Sequence, residues 1–78
     1  MNNERILAQI VEILVDEFEV ERARIKLESS FQFDLGLDSL DLVDLSLILE
    51  KEVNQTISVE KLKDVTKVAD IVSILHNG

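Results

Sequence analysis

Apolar residues in the first twenty positions recur at the three- and four-residue intervals of an α-helix. The recurring residues are Ile6, Leu7, Ile10, Val11, Ile13, Leu14 and Phe18. Polar and charged residues fill the positions between them, which is the pattern of a helix with one face in a core. The spacing predicts a first helix from about Asn3 to Glu19.

A second helix is predicted where Asp38 and Asp41 stand three residues apart. Asp38 can act as the N-cap, and Asp41 stands where a capping box places its acidic residue. Ser39 then takes the first helical position, and the apolar pattern continues to about Asn54. Gly36, just before the cap, allows the backbone a positive φ at the entry turn.

This second helix carries two apolar stripes. With about 100° of rotation per residue, the first stripe is the expected core face, and the second lies roughly 150° away beside Ser39. The first stripe contains Leu42, Leu45, Leu49 and Val53. The second contains Leu40, Val43 and Leu47, flanked by Asp41, Asp44 and Lys51. A small domain rarely buries both sides of a helix, so the second stripe is predicted to be an exposed docking surface. The alternative is a central helix that is buried all round.

The remaining helices are shorter. Ser58 begins a capped segment of one or two helical turns that reaches Lys63. A final helix is marked by Val68, Ile71, Val72 and Leu75, with Thr66 as the candidate cap. The chain has no Pro and only two Gly, which favours helices joined by polar loops over a turn-rich β fold.

The connection from Val20 to Leu37 between the first two helices is long for a small domain. Its apolar residues are Ile25, Leu27, Phe31 and Phe33. These predict a connection that packs against the helices. The expected fold class is therefore all-α, a four-helix bundle with a long loop between helices 1 and 2 and a short third helix.

Composition supports one small folded domain over residues 1–78. Hydrophobic residues make up 46% of the chain and are nearly all aliphatic, and Cys is absent. A domain of this size has little room for a deep enzymatic cleft. Its stability has to come from packed aliphatic side chains, because no disulfide is available.

The chain is strongly acidic, with sixteen acidic residues against eight basic ones and a formal charge of −8. Residues 34–54 hold −5 of that charge, concentrated around Ser39. Such a field repels nucleic acid and anionic membranes and steers proteins that carry basic patches. No segment reaches the roughly 18 consecutive apolar residues of a membrane span, and the N-terminus lacks signal-peptide features. We therefore expect a cytoplasmic monomer with no stable membrane association.

The segment Phe31-Gln-Phe-Asp-Leu-Gly-Leu-Asp-Ser-Leu-Asp resembles the signature of acyl carrier proteins. Asp-Ser-Leu alone is a weak signal, but its place after Leu35-Gly36 in an acidic, four-helix chain is specific. In that family the matching serine carries 4'-phosphopantetheine from coenzyme A, and the thiol of this arm holds an acyl group as a thioester. The resemblance implies that Ser39 is the attachment point and that the chain is a carrier, not an enzyme.

The same resemblance implies roles for the neighbouring side chains. Asp38, Asp41 and Asp44 correspond to acids that meet basic residues of partner enzymes, namely a phosphopantetheinyl transferase and acyl-handling synthases. Leu40, Val43 and Leu47 correspond to the apolar contacts beside them. An acyl pocket between the helices would be lined by Leu42, Leu49, Ile57, Leu62, Val65 and Leu75, although ordinary core packing explains each of these residues equally well.

The chain departs from the family pattern at several positions. Phe33 stands where an acid is common, Lys51 stands in a helix that is usually acidic, and Leu62 replaces a frequent Ala. These changes predict an altered set of partners and a smaller acyl pocket. The residues around Ser39 favour the fatty-acyl type of carrier. The alternatives are polyketide or D-alanyl transfer, or an unmodified acidic helical adaptor.

Two other kinds of site are disfavoured by the sequence. A serine hydrolase would need His76, the only His, but His76 lies two residues from the end of the sequence, and Ser39 lacks a Gly-x-Ser-x-Gly elbow. A calcium loop would need alternating oxygen donors, a central Gly and a final Glu, which the acids around Ser39 do not provide. We predict neither a catalytic residue nor a metal site.

Overall fold

The structure, a computed structural model, describes residues 3–77, with the side chain of Asn77 excluded. The helices within this range are α1 Asn3–Phe18, α2 Ser39–Val53, α3 Val59–Leu62 and α4 Val68–Asn77. Helix α1 packs against α2 and α4, and α3 packs against α2. The all-α prediction is confirmed, as is the long loop between the first two helices, which contains one 3-10 turn at Arg22–Arg24. None of the helices within residues 3–77 is long and apolar enough to cross a membrane.

The hydrophobic core draws on the helices and on the loop between α1 and α2. On α1 the buried residues are Ile6, Ile10, Ile13 and Leu14, as the periodicity predicts. The loop contributes Val20, Ile25, Phe31, Leu35 and Leu37. Burying a large apolar side chain contributes about 1.5–3 kcal/mol, so this loop is a structural part of the domain.

Only part of the predicted packing of this loop is correct. Ile25 and Phe31 are buried as expected, but Leu27 is 42% exposed and Phe33 is 85% exposed. The reason for the exposed Phe33 is local. It lies within a hydrogen-bonded turn between two buried residues, Phe31 and Leu35, and its own side chain stays in solvent.

The loop also caps the N-terminus of α4. The backbone N–H of Val68 donates to the carbonyl oxygen of Ser29 at 3.0 Å, and that of Ala69 donates to Leu27 at 2.8 Å. Amides in the first turn of a helix have no acceptor within the helix. The loop supplies those acceptors and thereby fixes α4 relative to the entry of α2.

The side-chain cap of α4 differs from the sequence prediction. Thr66 was expected to accept a hydrogen bond as the cap, but its hydroxyl donates to Asp70 Oδ2 at 3.1 Å. The same oxygen of Asp70 accepts the backbone N–H groups of Thr66 at 2.9 Å and Lys67 at 3.1 Å. Asp70, inside the first turn, is therefore the capping residue at this end.

Helix α3 is a single turn held by two side-chain caps. Ser58 Oγ accepts the N–H of Lys61 at 3.3 Å, as the sequence predicts for the start of this helix. Glu50 Oε2, on α2, accepts the N–H of Ile57 at 2.9 Å just before it. Leu62, at the end of this turn, is buried. The Ser58 cap closes the turn, and the hydrogen bond from Ile57 to Glu50 ties its start to α2.

Candidate functional site

Helix α2 begins with the capping box that the sequence predicts. Asp38 Oδ1 accepts the N–H of Asp41 at 3.0 Å, and Asp41 Oδ2 accepts the N–H of Asp38 at 3.1 Å. Gly36, two residues before the cap, has a φ of +69°. This left-handed turn and the capping box together place Ser39 at the first helical position.

Ser39 is exposed, and its surroundings suit a covalently attached anion. The first-turn amides of a long helix point toward the N-terminus, and the helix dipole favours negative charge there. The carboxylates of Asp38 and Asp41 act in the opposite direction by like-charge repulsion. The helix end favours a phosphodiester, and the two acids reduce that preference.

A surface cleft of about 440 Å³ adjoins Ser39, and we call it the Ser39 cleft. Its apolar lining consists of Phe31, Phe33, Leu37, Leu42, Leu62 and Val65. Its polar lining consists of Ser30, Gln32, Asp38, Ser39, Lys63 and Thr66. The cleft therefore joins an exposed hydroxyl to an apolar wall contributed by the loop, α2 and the α3 region.

The predicted acyl-pocket residues divide into two groups. Leu42, Leu62 and Val65 line the Ser39 cleft. The others, Leu49, Ile57 and Leu75, are buried in the hydrophobic core and are not part of the cleft lining. Whether any of the six contacts an acyl chain stays a prediction.

The two stripes of α2 differ in exposure as predicted. On the outer stripe, Leu40 is 74% exposed, Leu47 53% and Val43 36%. On the inner stripe, Leu45 and Leu49 are fully buried, whereas Leu42 is only half-buried because it faces the Ser39 cleft. The alternative of a helix buried all round is therefore wrong. The role of the outer stripe in binding stays a prediction.

The acids beside the outer stripe have different local environments. Asp38 and Asp41 each use one carboxylate oxygen in the capping box, which leaves the second oxygen of each for other contacts. Asp44 and Lys51 are exposed farther along α2. The sequence correctly identified the capping box, and the resemblance added a partner-binding role for the same two acids.

Sequence reasoning assigned no site role to seven residues of the Ser39 cleft, which are Ser30, Phe31, Gln32, Phe33, Leu37, Lys63 and Thr66. At about 100° of rotation per residue, Phe33 falls on the side opposite Phe31 and Leu35, and this periodicity is the signal for its exposure. No comparable signal existed for Lys63, because its place in the cleft depends on how α3 packs. His76 is exposed in the last turn of α4. Within the described part of the chain, no group of three or more His, Cys, Asp or Glu side chains could hold a metal ion.

Comparison with known proteins shows the family of the chain. The family profile described as "Phosphopantetheine attachment site" matches residues 8–75. An acyl carrier protein of Coprothermobacter proteolyticus is 40% identical over 78 residues, which is all of this chain and 95% of the relative. One from Syntrophus aciditrophicus is 43% identical over 67 residues, covering 86% of this chain and 84% of its own. One from Petrotoga mobilis is 36% identical over 75 residues, covering 96% of this chain and 88% of its own. The chain therefore belongs to the acyl carrier protein family, whose cofactor is phosphopantetheine.

Proposed function

We propose that the hydroxyl of Ser39 carries the 4'-phosphopantetheine arm and that the chain presents acyl thioesters to enzymes of fatty-acid biosynthesis or a related specialised pathway. The observation that carries this proposal is the position of Ser39, exposed at the first residue of α2 and lining an apolar cleft. The arm supplies the thiol that a chain without Cys lacks.

In this proposal the chain holds cargo and leaves the bond-making steps to its partners. During loading, the Ser39 oxygen would form a bond to the pyrophosphate phosphorus of coenzyme A that carries the pantetheine group. The bond to adenosine 3',5'-bisphosphate would break, and the hydroxyl proton would pass to a base on the transferase. The chain's own contribution is to expose the hydroxyl and to hold it at a helix N-terminus.

The outer stripe of α2 is the proposed docking surface for a phosphopantetheinyl transferase and acyl-handling synthases with basic patches. Its three residues expose apolar area on a segment that holds −5 of the net charge of −8. Acidic surroundings speed the approach of a basic partner, and the desolvated apolar contacts set how long the complex lasts. The monomeric state and the cytoplasmic location stay predictions from the sequence.

Loading by a phosphopantetheinyl transferase tests the attachment directly. The purified chain is incubated with the transferase and coenzyme A, and its intact mass is measured. We expect a gain of one phosphopantetheine in the original chain and in Ser73→Ala, which changes an exposed serine on α4. We expect no gain in Ser39→Ala.

Two results of this experiment would overturn the attachment: no gain in the original chain, or a gain that survives Ser39→Ala. An unmodified acidic adaptor would give the first of these. If loading succeeds, the mass of the acyl group on protein purified from its native cell distinguishes fatty-acyl cargo from polyketide or D-alanyl cargo.

A further inference from the structure

Lys63 is a basic side chain beside Ser39 for which neither the docking surface nor the core gives a role. Among the described residues that line the Ser39 cleft, Lys63 is the only base and Asp38 the only acid. The Lys63 side chain is exposed, and within residues 3–77 it makes no ion pair. The segment 34–54 that begins at this cleft holds −5 of the net charge of −8. A cation in the lining of this cleft therefore calls for an explanation.

Backbone hydrogen bonds connect the segment of Lys63 to the entry of α2. The N–H of Leu37 donates to the carbonyl oxygen of Phe31 at 2.7 Å. The N–H of Phe31 donates in turn to the carbonyl oxygen of Thr66 at 3.0 Å. Leu37 lies two residues before Ser39, and Thr66 lies three residues after Lys63. The main chain therefore brings Ser39 and Lys63 to one cleft, and the reach of a long side chain is not the only link between them.

The backbone of Lys63 is anchored on both sides. Its N–H donates to the carbonyl oxygen of Glu60 at 3.3 Å, at the end of α3. Leu62 and Val65 are buried and line the same cleft, and the N–H of Val65 donates to the carbonyl oxygen of Leu62 at 3.1 Å. The Lys63 side chain thus starts from a fixed point beside the apolar wall of the cleft. Its ammonium group can move only as far as its own stem allows.

A phosphodiester on Ser39 would need a positive neighbour, because acids flank it in the sequence. Asp38 precedes Ser39, and Asp41 follows two residues later. The N-terminus of a helix offers only about half an elementary positive charge against these two carboxylates. Like charges this close make an added anion less favourable. Lys63 is the residue of the cleft lining that can offset this repulsion.

We propose that the ammonium group of Lys63 pairs with the phosphodiester that links the arm to Ser39 and so keeps the base of the arm on the α3 side of the helix start. This inference rests on the proposed function. A hydrogen bond from an ammonium group to a phosphate oxygen is charge-assisted, and at an exposed site water weakens it without removing it. The phosphorus is bonded to the Ser39 oxygen itself, so the pairing depends neither on the cargo nor on the course of the rest of the arm.

Urea unfolding of unloaded and loaded chains tests this pairing at low salt. The original chain and Lys63→Met are each loaded by a phosphopantetheinyl transferase from coenzyme A. We expect the loaded-to-unloaded ratio of unfolding constants to be roughly threefold higher in Lys63→Met than in the original chain, because the added anion has lost its partner. Physiological salt should reduce this difference.

Two matched variants separate the pairing from other effects. Lys63→Arg keeps a cation that binds phosphate and should give the ratio of the original chain. Lys61→Met removes the same charge at an exposed position of α3 that is not part of the Ser39 cleft. It should also give the ratio of the original chain.

Nuclear magnetic resonance of the loaded chains without an acyl group tests the contact directly. We expect a nuclear Overhauser effect between the Hε protons of Lys63 and the pantetheine methylene next to the phosphate. The phosphorus resonance of the diester should shift in Lys63→Met and stay in place in Lys61→Met.

Three results would overturn the pairing while leaving the attachment intact. The first is the same unfolding ratio in Lys63→Met and the original chain, and the second is an equal rise in Lys61→Met. The third is a phosphorus resonance that Lys63→Met does not move, together with no Overhauser effect at Lys63. A rise in Lys63→Arg as large as in Lys63→Met would also count against the charge. The absence of any mass gain in the original chain is a different result, and it would refute the proposed function and the pairing with it.

Discussion

Asp38 and Asp41 exchange hydrogen bonds across the first turn of α2, at 3.0 and 3.1 Å. The two acids that the family resemblance assigns to partner binding are thus also the cap of the helix that begins at Ser39. A substitution at either position changes the charge of the docking surface and the stability of the helix start. The two effects have to be separated by the choice of variant.

Asp38→Ala and Asp38→Asn separate capping from charge. We expect Asp38→Ala to lower the free energy of unfolding by about 1 kcal/mol, because the N-cap acceptor is lost. Asp38→Asn keeps an acceptor and should stay within a few tenths of a kcal/mol of the original chain. Urea unfolding measures both values. An equal loss in the two variants would contradict the capping explanation.

The same pair of variants addresses docking. Both remove one negative charge next to Ser39, so both should slow loading by a transferase at low salt. The difference from the original chain should shrink at physiological salt, because screening shortens the reach of the charge. Initial loading rates at two salt concentrations, measured by intact mass, provide the check. A salt-independent difference would argue against electrostatic steering.

Leu47→Ala and Leu49→Ala compare the two stripes of α2 with one type of substitution. Leu49 is fully buried, so its truncation should cost about 3 kcal/mol of unfolding free energy. Leu47 is 53% exposed, so its truncation should change stability by less than about 0.5 kcal/mol. Only Leu47→Ala should reduce the affinity for a transferase while the fold stays intact.

Urea unfolding and titration of the labelled chain with the transferase give the two quantities. An affinity in Leu47→Ala equal to that of the original chain would remove Leu47 from the docking surface. A loss of several kcal/mol in its stability would show that the exposed face of α2 packs more tightly than its accessibility indicates.

The sequence predicted the start of α2 correctly because the signals there are local. A capping box depends on two residues three positions apart. The burial of Leu45 and the exposure of Leu47 follow from helical rotation alone. Both kinds of signal act within one helix. They need no knowledge of how the helices pack together.

The prediction failed where contacts between distant segments decide the outcome. Thr66 was expected to cap α4, but Asp70 and the carbonyl oxygens of Ser29 and Leu27 do so. The apolar residues of the loop predict that Phe33 packs against the helices, but Phe33 is exposed. The turn around Ser30, which the apolar pattern does not describe, decides this outcome. These are long-range or turn-specific arrangements that the apolar pattern does not encode.

Asp70 predicts a dependence of stability on pH. Its partial burial raises the pKa of the carboxyl group, but hydrogen bonds from the Thr66 and Lys67 backbone and the Thr66 hydroxyl outweigh this and lower the pKa below its ordinary value of 3.8. Because the folded pKa lies below the unfolded one, the stabilisation is full above the unfolded pKa. It is lost as the pH falls through the folded pKa.

Asp70→Asn should therefore be less stable than the original chain at pH 7, by about 1 kcal/mol. The difference should narrow as the pH falls below about 4. Asp64→Asn, at an exposed position, removes the same charge and serves as the control for net charge. Urea unfolding from pH 7 to pH 3 measures all three chains. A difference between Asp70→Asn and Asp64→Asn that does not change with pH would contradict the role of the Asp70 carboxylate.

Gly36 offers a test of backbone conformation at the entry to α2. Its φ is +69°, and a Cβ added there would have no heavy atom within 4 Å among its non-neighbouring residues. Gly36→Ala should therefore cost about 1 kcal/mol from the left-handed backbone alone, with no steric clash. Gly36→Asn should cost less, since Asn adopts this conformation more readily than Ala. Urea unfolding gives both values. If the two substitutions cost the same, the left-handed backbone at residue 36 would not be the source of the loss, because Asn adopts that conformation more readily than Ala.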